Sequence, residues 1–437
     1  MSAMNVGGRG KRGNGVGEEG GVPAVRREGC ISGLPRGGGR GIVGGMRRLT
    51  CFLCGVLAAA AVLCGPARAQ EALPDDSPEA LFQTGMSRFS AGDYETSLTV
   101  LSELVKVFGR EPELRGRIDL AMYAKACALY NLERREECVK AFREYLAAFP
   151  ESKYADEALF RIGVCLQQDG DHQEAVAAYR QLRTAHPDSA YAEDAAFQIG
   201  LCLLLDEANA DAAAAFKDFV ALYPRSRLAA QAGAYAARAL FDDDKPEEAI
   251  AMLEETEKRP RPWSVVTYCN FLAFEIGDSL FDDGEFETAL KAYRRVKTRR
   301  AILQHLKQDL ARLEAEKAAF DRRPPSAQGG LSAHFRAARQ LERDVAQTRE
   351  MLEKLETMPD YDANLFHRIG RCYFNTDRHW EARIAFKRVV DTAAEEEIRE
   401  AAHFDLILAI SRLRRFDDLL VEADNYLGTY DPEGRWQ

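Results

Sequence analysis

The stretch FPESKYADEALFRIGVCL, Phe149–Leu166, is echoed as HPDSAYAEDAAFQIGLCL, His186–Leu203, 37 residues later. A period in the range of roughly 20–50 residues marks a chain that builds one supersecondary unit many times, each unit burying its apolar face only against its neighbours. The register is wider than the two stretches. Pro150, Pro187 and Pro224 stand 37 apart, and each is followed two positions on by a serine, Ser152, Ser189 and Ser226. Ala126, Gly163, Gly200 and Ala237 keep the same step. Twelve residues after each comes a second small residue, Cys138, Ala175, Ala212 and Ala249. Four further on comes a bulky one, Phe142, Tyr179, Phe216 and Leu253.

Turn signals such as Gly92-Asp93 and Gly170-Asp171 separate the two apolar runs of a unit, so each unit reads as two amphipathic helices closed by proline. The logic is steric. Two small residues let the paired backbones approach, and the bulky residue fills the gap against the next pair. The spacing predicts an all-α solenoid of helical hairpins. Gly85, Ser97 and Leu101 mark a first unit, Gly277, Ala289 and Tyr293 a sixth, and Gly370, Ala382 and Phe386 a seventh. An eighth puts Ile407 at the small position and is expected to be a degenerate cap. The run KRPRPW at Lys258–Trp263 replaces the usual joint between units five and six and is expected to bend or rigidify it.

Gly277 and Gly370 are 93 residues apart, which leaves 56 beyond one period. Leu303, Leu306, Leu310, Leu313 and Phe320 hold heptad spacing, as do Ala338, Leu341, Val345, Thr348, Leu352 and Leu355 after the Pro/Gly-rich residues 323–330. This predicts an inserted antiparallel coiled-coil hairpin. At about 1.5 Å per residue, arms of about 20 residues would project roughly 30 Å, unless the hairpin folds back onto the solenoid. The expected layout is units one to six over 78–300, the hairpin over 301–360 and units seven and eight over 361–431.

The pattern of small, small, aromatic and proline at Gly163, Ala175, Tyr179 and Pro187, and again at Gly200, Ala212, Phe216 and Pro224, resembles the tetratricopeptide repeat family. The usual period there is about 34. The longer period and the P-x-S-x-(Y/L)-A lead-in resemble an exported bacterial subgroup. That subgroup includes the Tol–Pal-associated cell-division coordinator and the lipoprotein of the outer-membrane β-barrel assembly machine. The resemblance runs over most of residues 78–431.

The amino end has a different character. Residues 1–45 hold 16 of the 33 glycines with no hydrophobic period, which predicts disorder and an upstream over-extension of the reading frame. From Met46, Arg47-Arg48, an apolar run to Gly65 and Ala67-Arg68-Ala69 form a secretory signal pattern. The run is short for a membrane span and ends at Pro66. Cys64 follows Leu63, a poor lipid-attachment pattern, so the mature chain is expected to begin near Gln70 with no span. The formal net charge is −10; removing residues 1–69 takes away ten Lys/Arg and three Asp/Glu, which makes it −17. That argues against nucleic acid and anionic lipid as partners.

Of the ten cysteines, Cys30, Cys51, Cys54 and Cys64 lie in the leader. Cys165, Cys202 and Cys372 share one repeat slot, and Cys138 stands where other units place alanine. These read as small core residues. Cys127 and Cys269 lack that explanation, and a bond between them is not expected. The seven histidines are dispersed, with no metal-ligand spacing, no phosphate-cradling loop and no nucleophile motif. GRGKRG at Gly8–Gly13 has neither strand before it nor helix after it. The acidic runs Asp242–Asp244 and Asp282-Asp283 read as helix caps. No catalytic residue, cofactor or metal follows from this sequence, and the chain is read as a non-enzyme.

In the resembled family the groove is lined by first-helix residues three before, one after and four after the small position. Here that implies Phe82 and Phe89, Tyr123 and Tyr130, Phe160, then Phe197, Leu201 and Leu204, Phe274 and Phe281, and Arg371 and Phe374, with part of these rings packed as core. The resemblance implies a periplasmic scaffold for protein partners. Such a scaffold would coordinate an envelope complex of Tol–Pal or ExbB/ExbD type and could self-associate through the coiled-coil arm. The alternatives are a component of outer-membrane β-barrel assembly, or an accessory subunit of an envelope polysaccharide or peptidoglycan synthase.

Overall fold

The backbone passes through the left-handed region at eight described positions: Gly92, Glu133, Gly170, Glu207, Asp244, Gly284, Asp377 and Arg414. Each lies seven residues after the small position of a unit, from Gly85 to Ile407. Only three are glycine. The other five take up a conformation that costs an L-residue about 1–2 kcal/mol, so helix packing imposes the turn. The computed structural model describes residues 77–322 and 330–430, with side chains from 334 onward in the second stretch. The leader, the signal pattern at 46–69 and the hairpin turn at 323–329 lie outside the described residues.

Each left-handed residue joins the two helices of a pair. The pairs are α1 and α2 (Pro78–Ser90, Tyr94–Phe108), α3 and α4 (Arg115–Asn131, Arg135–Ala148), and α5 and α6 (Ala155–Asp169, His172–Ala185). Next come α7 and α8 (Ala192–Leu205, Asn209–Leu222), α9 and α10 (Ala229–Asp242, Pro246–Glu257), and α11 and α12 (Trp263–Asp282, Phe286–Tyr293). Two long helices follow, α13 (Arg299–Asp321) and α14 (Gly330–Thr357). The last pairs are α15 and α16 (Asp362–Asn375, His379–Thr392), and α17 and α18 (Glu396–Arg412, Phe416–Tyr430). Consecutive helices pack on each other to form a helical-hairpin solenoid, with no strand among the described residues.

The steric account of the repeat is visible in atoms. A Cβ placed on Gly163 would stand 2.5 Å from the Tyr179 ring, and one on Gly200 2.6 Å from the Phe216 ring. Gly277 meets Tyr293, and Gly370 meets Phe386, in the same way. The second small residues Ser97, Cys138, Ala175, Ala212, Ala249, Ala289 and Ala382 are all buried. The serine after each proline also has a structural reason. The Oγ of Ser189 donates to Asp156 at 2.7 Å and accepts from the Tyr191 backbone N–H, 3.0 Å away. Ser152 makes the same link to Asp119, and Ser226 to Glu193, at 2.6 Å. Each serine thus ties the lead-in of one unit to the amino-terminal part of the preceding unit's first helix. Ser189→Ala is expected to cost about 1.5–3 kcal/mol, since the acceptor is charged, read as faster hydrogen exchange in α5 and α7.

One expectation is corrected here. Asp242 ends α9 and Asp282 ends α11, with Asp243 and Asp283 at the C-caps. The acidic runs therefore sit at helix C-termini, where the dipole disfavours them, and do not cap N-termini. Arg238 bridges Asp242 at 2.8 Å and Lys245 bridges Asp243 at 2.6 Å, which offsets the misplaced charge. N-capping occurs at Asp93, whose Oδ1 accepts from Thr96 N at 3.3 Å. At the KRPRPW joint Arg261 is folded over the end of α10, its Nη1 donating to the carbonyls of Thr256, Glu257 and Arg259.

The insertion does not interrupt the array, because α12 and α15 are packed neighbours. Buried Asn270 on α11 forms the junction. Its amide donates to the Tyr361 hydroxyl at 3.0 Å and its carbonyl accepts from Lys297 N at 2.5 Å, while Tyr361 donates to Lys297 O at 2.8 Å. Asn270→Ala is expected to destabilise by about 1–3 kcal/mol through the stranded Lys297 amide, the Tyr361 hydroxyl keeping its bond to Lys297 O. Hydrogen exchange around α11 and α15 should rise in that variant.

α13 and α14 run antiparallel, with ion pairs Lys307–Glu356 and Arg349–Glu314 between them. Ile302, Leu306 and Leu355 are buried at the base, against Trp263. The Trp263 indole donates to Asp309 at 2.8 Å, which seats the lower part of the hairpin on the amino end of α11.

The last unit differs from a polar cap. Leu420 occupies the position of Val139, Val176, Ala213, Ile250 and Leu290, one after the second small residue, all of which are buried. Leu420 is 65% exposed, and Phe404 and Leu408 beside it are 50% and 38% exposed. Those five inner units hide the Leu420 position beneath the next pair. The last described unit thus presents an apolar face.

Candidate protein-binding groove

First helices of successive units stand side by side: α1 with α3, α3 with α5, α9 with α11, α11 with α15, and α15 with α17. Polar bridges span the same row. Arg238 on α9 reaches Glu275 on α11 at 2.8 Å, and His367 on α15 reaches Asp405 on α17 at 2.9 Å. The face they share is the candidate groove.

The structure divides the twelve residues assigned to this groove. Tyr123, Phe160, Phe197, Leu201 and Phe281 are buried, so their assignment as contact residues is corrected: they are core. The cause is the neighbouring unit. Tyr123 stacks on Tyr154 at 4.4 Å, Phe160 on Tyr191 at 5.1 Å, and Phe197 meets Phe216, Phe219 and Tyr235. Phe82, Phe89, Tyr130, Leu204, Phe274 and Phe374 are half-buried, each keeping part of its surface in the groove, and Arg371 is exposed.

Two charged clusters stand on this face that the aromatic pattern did not reveal. In the first, Arg161 donates through Nε and Nη2 to Glu157 Oε1 at 2.9 and 2.6 Å, one turn away on α5. The side chains are 12% and 8% exposed, and the guanidinium lies 4.7 Å over the Tyr130 ring. Burial disfavours the charge on Arg161, yet its ionisable neighbours, Cys127 and Glu157 foremost, hold its pKa above the ordinary value. Burial pushes the Cys127 thiol up to about 11, so at neutral pH it is an uncharged small residue.

The second cluster joins α11 and α15. The Tyr293 hydroxyl donates to Asp278 at 2.5 Å, and Arg368 lies 3.6 Å from Asp278 and 3.7 Å from Asp282. Arg368 and Arg371 sit 4.7 and 5.2 Å over the Phe281 ring. Burial raises the Asp278 carboxyl. Phe281 thus serves as the floor on which two guanidinium groups rest. The groove therefore presents half-buried rings and the Arg368 and Arg371 guanidinium groups, suited chemically to apolar contact and ion pairing with a peptide, while the Arg161–Glu157 pair is buried beneath it. Among the described residues no group of three or more His, Cys, Asp or Glu is placed to hold a metal ion, and no described helix is long and apolar enough to cross a membrane.

Comparison with known proteins agrees with this architecture. A tetratricopeptide-repeat family model matches residues 79–109, 120–152, 157–189 and 194–226. The chain carries tetratricopeptide repeats. The four matched repeats hold α1 to α8, and units five to eight continue their left-handed turn register.

Among solved structures, a tetratricopeptide repeat protein from Parabacteroides merdae is similar at 14% identity, covering 76% of this chain and 98% of its own, with a TM-score of 0.35. MamA from Desulfovibrio magneticus is similar at 19% identity, covering 43% of this chain and 96% of its own, with a TM-score of 0.33. YrrB, described as a TPR protein with an unusual peptide-binding site, is similar at 18% identity, covering 42% of this chain and 86% of its own, with a TM-score of 0.33. No curated protein matches the sequence.

Proposed function

We propose that this chain is an exported, non-enzymatic protein-interaction scaffold of a bacterial cell envelope. In this reading the first-helix groove holds an extended or helical segment of a partner, and the α13–α14 hairpin projects as a coiled-coil arm toward a second. One observation carries the binding role. The groove's accessible guanidinium groups, Arg368 and Arg371, are held over the Phe281 ring, Arg368 also beside Asp278 and Asp282. Such pinning lowers the ordering cost of binding. Export rests on the signal pattern at 46–69. Coordination of an envelope complex of Tol–Pal or ExbB/ExbD type follows from the resembled subgroup and is the finer part of the proposal.

Fractionation of cells making the full chain, with sequencing of the mature amino terminus, tests export. The expected product is periplasmic and starts near Gln70. A cytoplasmic product that retains residues 46–69 would remove the envelope from the account and leave the scaffold.

A further inference from the structure

We propose that Cys138 and Cys165 are a disulfide site that clamps the second unit to the third. All six cysteines with described side chains are buried and free, and two of them touch: the Cys165 thiol lies 3.6 Å from Cys138 Sγ. Cys138 is on α4 and Cys165 on α5, so a bond between them would span the seam between consecutive repeats. The repeat register explains the meeting. The second small position of one unit faces the slot two residues after the small position of the next. In the following seam those places hold Ala175 and Cys202, and only between units two and three are both cysteine. Closing the bond requires the sulfurs to approach by about 1.6 Å, toward the usual length near 2.0 Å.

The chemistry needs an oxidant with a disulfide of its own. One thiolate attacks that disulfide and displaces a first thiol. The second cysteine's thiolate then displaces the remaining thiol from the mixed disulfide. Two protons leave the cysteines and two electrons pass to the oxidant, which departs as two thiols. The contact with Cys165 and burial hold the Cys138 thiol well above its ordinary pKa. The native pair therefore reacts slowly, and the bond forms when the seam between α4 and α5 opens or during folding. Once formed, it fixes α5, which bears Glu157 and Arg161, against the preceding unit. It thereby fixes the first charged cluster of the groove. The proposal does not depend on where the chain resides.

The test is refolding of the full chain in oxidised and reduced glutathione, followed by alkylation with iodoacetamide and tryptic mapping. The expected dominant disulfide joins the peptide 136–140 (EECVK) to the peptide 162–180, with loss of two hydrogens. Because a repeat array need not unfold as one unit, the gain should be read locally: the oxidised chain should show a shift to slower hydrogen exchange in α4 and α5 relative to the reduced one. Cys138→Ala and Cys165→Ala should fold, because other units hold alanine at both places (Ala175 and Ala128), and should lose the linked peptide and the shift. Alkylation of both cysteines after oxidative refolding would overturn the proposal, and so would a dominant bond from Cys127 to Cys138.

Discussion

Gly200→Val is expected to destabilise the chain by about 3 kcal/mol, because any side chain there meets the fully buried Phe216 ring. The contact is backbone against ring, and the ring is wedged beside Phe197 and Tyr235, so neither side can yield cheaply. Phe216→Ala alone should cost about 3–5 kcal/mol through the cavity it opens. The double variant should cost less than the sum, since the valine methyls enter the space the ring leaves. A repeat array does not unfold as a single unit, so the loss should be read locally. Hydrogen exchange in α7 and α8 should rise well before that in α15 and α16. Unchanged protection in Gly200→Val would refute the small-against-bulky account of the repeat.

The second large effect concerns the ion pair in the groove. Glu157→Ala leaves the Arg161 guanidinium nine-tenths enclosed with its fork unfilled. Removing one partner of such a pair typically costs about 3–5 kcal/mol. Replacing both, as Glu157→Leu with Arg161→Met, should recover most of that loss, because the desolvation of two charges disappears with their attraction. The double variant then separates the two roles of the cluster: a folded, stable chain that has lost its fixed charge over Tyr130. If the double variant is as unstable as Glu157→Ala, the pair holds the fold in a way that shape alone does not replace.

The small-to-bulky spacing was legible because it is a contact rule. Gly163, Ala175 and Tyr179 name the residues of that contact, and the structure sets Gly163 against the Tyr179 ring with Ala175 buried. The eight turns were partly legible. Gly92 and Gly170 show in the sequence, whereas Glu133, Glu207 and Arg414 adopt the same left-handed backbone without a glycine to announce it. The groove was half legible. Sequence offsets chose Phe160 and Phe197 for a lining, but Tyr191 and Tyr235 of the following units cover them. That covering depends on the rotation between pairs, which spacing does not contain. Glu157 and Arg161 carried a signal, an acid and an arginine four apart inside the apolar run EALFRIG, but neither is aromatic and neither stands at a groove offset of the repeat. The aspartates at 242 and 282 misled because acidic runs favour the start of a helix, and here ion pairs keep them at the end.

The central claim is that a protein partner lies along the first helices. Its most direct test is photo-crosslinking in cells with the probe at Leu204 or Arg371 on that face, and at exposed Ile384 on α16 as the control. The account predicts one and the same protein adduct from both groove positions and none of it from Ile384. Adducts confined to Ile384, with both groove positions silent, would contradict it.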